Sequence, residues 1–218
     1  MNEEISKAVI KTGTTIVGIR CKDGVVLGSD RRVTAGGHTV VNKDFPKILK
    51  INDYLIMAVA GNAADAKMQA KYASAELRLL ELKTKSRPSV EEGANLIANM
   101  SFRNIRTPSM IPSIVGAIVA GYNEDGSCGL YSIEPAGGVD EVREYDANFG
   151  SGMPFVLGFL ERAYKKDMTL AEGAELAKEA IKSAMARDTA SGNGIDVFTI
   201  NKEGITHLVS EEVLSQYK

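Results

Sequence analysis

The sequence predicts an α+β fold, a sandwich of two stacked antiparallel sheets with helices on its outer faces, built as a single domain. Apolar runs are joined by tight turns such as Lys22-Asp23-Gly24, which suit antiparallel hairpins and not the long crossovers of a parallel sheet. Two runs, LIMAVA at 55–60 and IVGAIVAG at 114–121, are apolar on both faces, so each needs cover on both sides. The elements come in the order strands, two helices, strands, two helices, strands, and helices outside two stacked sheets satisfy that order.

The first hairpin pairs TTIVGIRCK, 14–22, with VVLGSD, 25–30, across an Asp-Gly step. A glycine-rich loop, TAGGHT at 34–39, follows, and then ILKI and LIMAVAG flank Asn52-Asp53 as a second hairpin ending at Gly61. Residues 62–84 switch to helical spacing, with Met68, Tyr72, Ala75, Leu79 and Leu82 read as the buried stripe. The next helix starts at Ser89, where Ser-Val-Glu-Glu forms a capping box after Pro88. SIVGAIVAG and CGLYSI then make a hairpin around Asn123–Gly126. A glycine-rich segment at 150–152 precedes a third helix through about 165. The fourth opens with a second capping box, Thr169 and Glu172, buries Leu170, Ala174, Ala177, Ile181 and Ala184, and ends near Asp188. IDVFTI and ITHLVS close the chain as a last hairpin.

Composition excludes several function classes. With 218 residues, 44% hydrophobic, 25% charged and a net charge of -2, the chain is of the soluble globular kind. Basic residues are scattered among acidic ones, so no nucleic-acid footprint is expected. The apolar runs are too short for a bilayer, so no membrane span is expected. The leader MNEEISKAVIKTG starts acidic and carries only Ala8-Val9-Ile10 as an apolar run, which fails the secretory pattern and makes the cytoplasm the expected compartment. Cys21 and Cys128 read as buried thiols of a reducing compartment. His38, His207 and the two cysteines lie in unrelated segments without ligand spacing, so neither a metal nor another cofactor is expected.

The inventory of reactive groups is equally selective. A serine-histidine-acid triad would have to draw on His38 or His207, and no G-x-S-x-G elbow is present. Neither G-x-G-x-x-G nor a Walker motif occurs, and nothing marks a carboxylate pair. What remains is Gly13-Thr14-Thr15, where the polar leader meets the first hairpin. Cleavage after Gly13 would give Thr14 a free α-amine beside its hydroxyl, so that one residue supplies both nucleophile and base. The reference α-amino pKa of roughly 7.7–8.0 suits a base at neutral pH. Gly13, lacking Cβ, leaves the backbone free for the hydroxyl to reach the preceding carbonyl. Threonines are also ordinary strand residues, so this tripeptide alone leaves a structural reading open.

Taken together, TGTTIVGI, DRRVT, AVAGNAADA, GSGMPF and RDTASGNGIDV resemble the proteasome β subunits, most closely the archaeal type, over nearly the whole chain. That family belongs to the N-terminal-nucleophile hydrolases, and the resemblance implies a four-layer αββα sandwich. It implies a propeptide, residues 1–13, removed by self-cleavage between Gly13 and Thr14, and a catalytic domain over 14–218. By the same resemblance Thr14 is the nucleophile and Asp30 the carboxylate that pairs with an essential lysine. Lys47 matches that lysine, with Lys43 and Lys50 as neighbouring rivals, in a loop one residue longer than the archaeal pattern. Gly61 supplies a backbone N–H for the oxyanion, and Ser151, Asp188 and Ser191 surround the threonine amine.

Val33, Val59 and Ala63 are expected to line the adjoining pocket and to favour hydrophobic residues before the cut, leucine- or tyrosine-ended peptides being turned over faster than acidic ones. The implied partners are other β subunits in a seven-membered ring, capping α subunits, an ATP-dependent unfoldase acting through the α ring, and unfolded polypeptide as substrate. The runner-up reading is a non-catalytic ring subunit, disfavoured by the joint presence of Thr14, Asp30, Lys47 and Ser151. The bacterial two-ring protease with a separate unfoldase shares the TTIV start but fits DRRVT and RDTASG less well.

Overall fold

The computed structural model describes residues 13–36, 39–109 and 113–212. His38 and residues 1–12 of the leader lie outside the described residues. One sheet is made by β1 (Ile16–Cys21), β2 (Gly24–Asp30), β10 (Tyr145–Asp146), β11 (Gly194–Asn201) and β12 (Gly204–Glu212), in the order β10-β1-β2-β11-β12. The other contains β5 (Ile48–Lys50), β6 (Leu55–Gly61), β7 (Val115–Tyr122), β8 (Cys128–Ile133) and β9 (Val139–Glu141), in sequence order. All pairings are antiparallel. Helices α1 (Ala63–Thr84) and α2 (Val90–Arg106) follow β6, and α3 (Met153–Ala163) and α4 (Leu170–Met185) precede β11. None of these helices is long and apolar enough to cross a membrane.

Three hydrophobic clusters define the four layers. Along β6, Leu55, Met57 and Val59 face α1 and α2, whereas Ile56, Ala58 and Ala60 face the other sheet. Strand alternation thus explains why LIMAVA is apolar throughout. Between the sheets, Ile16, Val25 and Leu27 meet Ile56, Ile118 and Leu130. On the far side, Val17, Ile19 and Val26 pack against Ala174, Ala177, Ile181 and Ala184 of α4. The layer order is therefore αββα, as expected, and the predicted stripe of α4 faces the core, with Leu170 packed at its margin. Both capping boxes form, Ser89 with Glu92 and Thr169 with Glu172.

Two expectations need correcting. The stripe of α1 is inverted: Ala66, Gln69, Ala70, Ala73 and Leu77 are buried, while Met68, Tyr72, Ala75, Leu79 and Leu82 face outward. Small residues at helical spacing let α1 approach α2 and the sheet closely, and Gln69 is satisfied by the Ile97 carbonyl and Ser101. Side-chain size had pointed to the wrong face. Thr34, Ala35 and Thr39 of the expected glycine-rich loop instead belong to a two-stranded ribbon, β3 (Val33–Ala35) paired with β4 (Thr39–Asn42). Cys21 is buried and its thiol is pushed up to about 12 by burial, whereas Cys128 is half-buried.

The inverted helix face is directly testable in the unassembled chain. Ala73→Leu should lower its stability by about 1–3 kcal/mol through overpacking. Tyr72→Ala should change it by less than about 0.5 kcal/mol, both read by denaturant unfolding.

Candidate active site

Thr14 and Thr15 lead into β1 and extend its pairing with β2, since the Asp30 N–H donates to the Thr15 carbonyl at 3.0 Å. This brings the end of β2 beside the Gly13–Thr14 peptide. Thr14 is buried, and its hydroxyl donates to the Gly13 carbonyl oxygen at 2.7 Å. The Gly13 N–H donates to Thr34 Oγ1 at 3.1 Å. Gly13 has a packing requirement besides its backbone freedom: a Cβ there would collide with Ala190.

Asp30 is the electrostatic hub, with no exposed surface and four donors. Its Oδ1 accepts from Lys47 Nζ at 2.7 Å and from the Thr15 N–H at 2.8 Å. Its Oδ2 accepts from the N–H groups of Arg32 and Gly192, each at 3.0 Å. A buried carboxylate is tolerated when its lone pairs are satisfied in this way. Lys47, 3% exposed, reaches in from the residue before β5, where its carbonyl accepts the Val59 N–H at 2.9 Å. Its ammonium also donates to the Gly13 carbonyl oxygen at 3.1 Å. Burial pulls the Lys47 ammonium below the ordinary lysine range, and Asp30 opposes that pull. Of the rivals, Lys43 is exposed and Lys50 forms an exposed pair with Asp53.

A second network reaches Thr14 from the helices of the opposite layer. The Thr14 N–H donates to Ser151 Oγ at 3.1 Å, in the turn before α3. Ser151 Oγ and Ser191 Oγ each lie 2.6 Å from Asp188 Oδ2. An ionised Asp188 can only accept, so both serines donate to it. Thr15 Oγ1, 2.7 Å from Ser191 Oγ, is then left as the donor of that pair. Asp188 is positioned just beyond α4, where its N–H donates to the Ala184 carbonyl at 2.7 Å.

Gly61, with φ at +114°, ends β6, and the cavity beside Thr14 is lined by Gly61, Val33, Val59 and Ala63 together with Gly13, Phe45 and Lys47. The chain therefore gathers Thr14, Asp30, Lys47, Gly61, Ser151, Asp188 and Ser191 in one region around the Gly13–Thr14 peptide and leaves Lys43, Lys50 and His207 outside it. Sequence reasoning missed Thr34, Thr15 and Phe45. Thr34 is 21 residues from the N–H that it accepts, with no local pattern linking them, whereas strand alternation after Thr14 would have placed Thr15 on the opposite face. His207 is engaged elsewhere, bonded to Asp196 and stacked on Phe198.

Chemically, a hydroxyl lies against a carbonyl whose oxygen also receives an ammonium. A second hydroxyl-carboxylate network holds the amide nitrogen of the same residue. The family described as "Proteasome subunit" matches residues 10–200. The chain is 38% identical to "Proteasome subunit beta" of Methanocaldococcus vulcanius over 92% of this chain and 87% of that protein. It is 38% identical to the protein of the same name from Methanococcus maripaludis strain C7, over 97% and 94%.

Replacing Asp30 by alanine should strand the Lys47 ammonium in the interior. We expect the unassembled full-length chain to lose about 3–5 kcal/mol in denaturant unfolding. Adding Lys47→Met should recover only part of that loss, because three backbone N–H donors remain orphaned.

Proposed function

This chain belongs to the proteasome subunit family, and on that premise we propose that it is the catalytic β subunit of a 20S proteasome core particle, a threonine endopeptidase activated by cutting itself between Gly13 and Thr14. The observation that carries this reading is the convergence of the Thr14 hydroxyl and the Lys47 ammonium on the Gly13 carbonyl oxygen, at 2.7 and 3.1 Å. In self-cleavage Thr14 Oγ attacks the Gly13 carbonyl carbon, and its proton passes, directly or through water, to the departing Thr14 nitrogen. Negative charge grows on the carbonyl oxygen, where Lys47 stabilises it. Collapse breaks the C–N bond and leaves the leader as an ester on Thr14 Oγ. Water then hydrolyses the ester, releasing Gly13 as a carboxylate and Thr14 with a free amine and hydroxyl.

The same residue then works on substrate. Its amine, held next to Ser151, takes the Oγ proton directly or through water as Oγ attacks the scissile carbonyl. The Gly61 N–H supports the oxyanion, and water hydrolyses the acyl-enzyme. Asp188 and Ser191 fix the orientation of Ser151 and Thr15 around that amine. The apolar side chains of Val33, Val59 and Ala63 favour apolar over acidic residues before the cut.

As a proteasome family member the chain assembles with other proteasome subunits. In the proposed particle, β rings of seven stack face to face in the cytoplasm, with α rings as caps. An ATP-dependent unfoldase feeds unfolded polypeptide through them. The outward face of α1, with Met68, Tyr72, Leu79 and Leu82 exposed, supports life in an assembly, because such a stripe is unfavourable to leave in water.

Peptidase activity separates this reading from a purely structural ring subunit. Particles assembled with α subunits should hydrolyse fluorogenic peptides with apolar P1 residues, and Thr14→Ala should reduce turnover by roughly 10³-fold or more. An equally active Thr14→Ala particle would contradict the assignment, and an inert wild-type particle would favour the scaffold reading. The pH dependence of self-cleavage tests Lys47 separately. Its ammonium must be charged to polarise Gly13, and burial lowers its pKa, so the alkaline fall in leader release should lie below the ~10.4 of a free lysine. A fall at or above that value would contradict this role.

A further inference from the structure

We propose that Phe45 makes this subunit selective for small apolar residues, alanine and valine, immediately before the scissile bond. The inference rests on the protease reading above and narrows its substrate class. The cavity beside Thr14 measures about 20 Å³. A single water-sized sphere needs roughly 10–15 Å³, so the space is little more than one such sphere, room for a small side chain and not for a leucine or tyrosine. Val33, Val59 and Ala63 are small, and Phe45 is the one large apolar side chain among the described residues of its lining.

Phe45 is held in place from two sides. Its N–H donates to the Arg31 carbonyl at 3.0 Å, which fixes its backbone against the residue after Asp30. The Lys67 ammonium of α1 lies 4.4 Å from the ring centroid, a cation–π contact that opposes displacement of the ring. Phe45 also precedes Lys47 by two residues, so a large movement of the ring would pull on the segment that carries the essential ammonium. A leucine or tyrosine side chain at P1 therefore competes with Phe45 for the same space. A methyl or isopropyl group fills the cavity without moving it.

The test uses assembled particles and one series of fluorogenic peptides that differ only in P1: alanine, valine, leucine and tyrosine. The wild type should show kcat/KM at least tenfold higher for alanine or valine than for leucine and tyrosine, and Phe45→Ala should reverse that order by raising the two large residues tenfold or more. Wild-type particles that cleave leucine or tyrosine peptides as fast as alanine ones overturn the inference while leaving the protease reading intact. So does a Phe45→Ala particle that assembles and keeps the wild-type ratios. Particles that cleave none of the series, with leader still attached, overturn the protease reading and this inference together. Because the wild-type ratio is informative alone, a Phe45→Ala chain that fails to assemble does not rescue the proposal, and Phe45→Val gives a milder second opening of the pocket.

Discussion

The site depends on one buried ion pair, Asp30 with Lys47, 2.7 Å apart and almost wholly withdrawn from solvent. Removing two charges from water costs several kcal/mol per ion, and their mutual attraction offsets this only with good geometry and further hydrogen bonds. Asp30 meets that condition with three backbone N–H donors in addition to the ammonium. Lys47 meets it through the Gly13 carbonyl. The pair therefore aims its positive charge at the Gly13–Thr14 peptide. Asp30 ends a strand of one sheet and Lys47 immediately precedes a strand of the other, so the pair also bridges the two sheets at this end of the sandwich.

The packing explains why the bridge can be so exact. The interface of Ile16, Val25 and Leu27 with Ile56, Ile118 and Leu130 fixes the separation of the sheets. The pairing of β1 with β2 fixes Thr15 against Asp30. On the other side of Thr14, Ser151 and Asp188 come from segments at the ends of α3 and α4, helices anchored by the cluster around Val156, Ala177 and Ile181. Rigid layers thus carry short connecting segments on which the reactive groups sit, a common division of labour between scaffold and loops. The two networks reach Thr14 from opposite directions, one through the carbonyl before it and one through its own nitrogen.

Much of this was legible in the sequence, for identifiable reasons. Doubly apolar strands, Asp-Gly turns and capping boxes are local signals, and each maps onto an element of the sandwich. The orientation of α1 was not legible, because Ala66, Ala70 and Ala73 carry little apolar weight yet make the close contact, whereas Tyr72 and Leu82 carry much and face outward. The β3–β4 ribbon was hidden by the glycine-rich sequence TAGGHT, 34–39. In the site, Thr14 stood out by its junction, Lys47 was picked out by the resemblance alone, and its burial and partners now separate it from Lys43 and Lys50. Thr34 and Phe45 act through long-range proximity that no spacing encodes.

In the proposed reading, Thr14, with its hydroxyl against the Gly13 carbonyl, breaks the bond that precedes it. The intact mass of this chain, purified from particles assembled with α subunits, tests that claim most directly. The expected mass is lowered by the loss of residues 1–13, with Thr14 as the new first residue. A chain that keeps its leader within a fully assembled particle would contradict it.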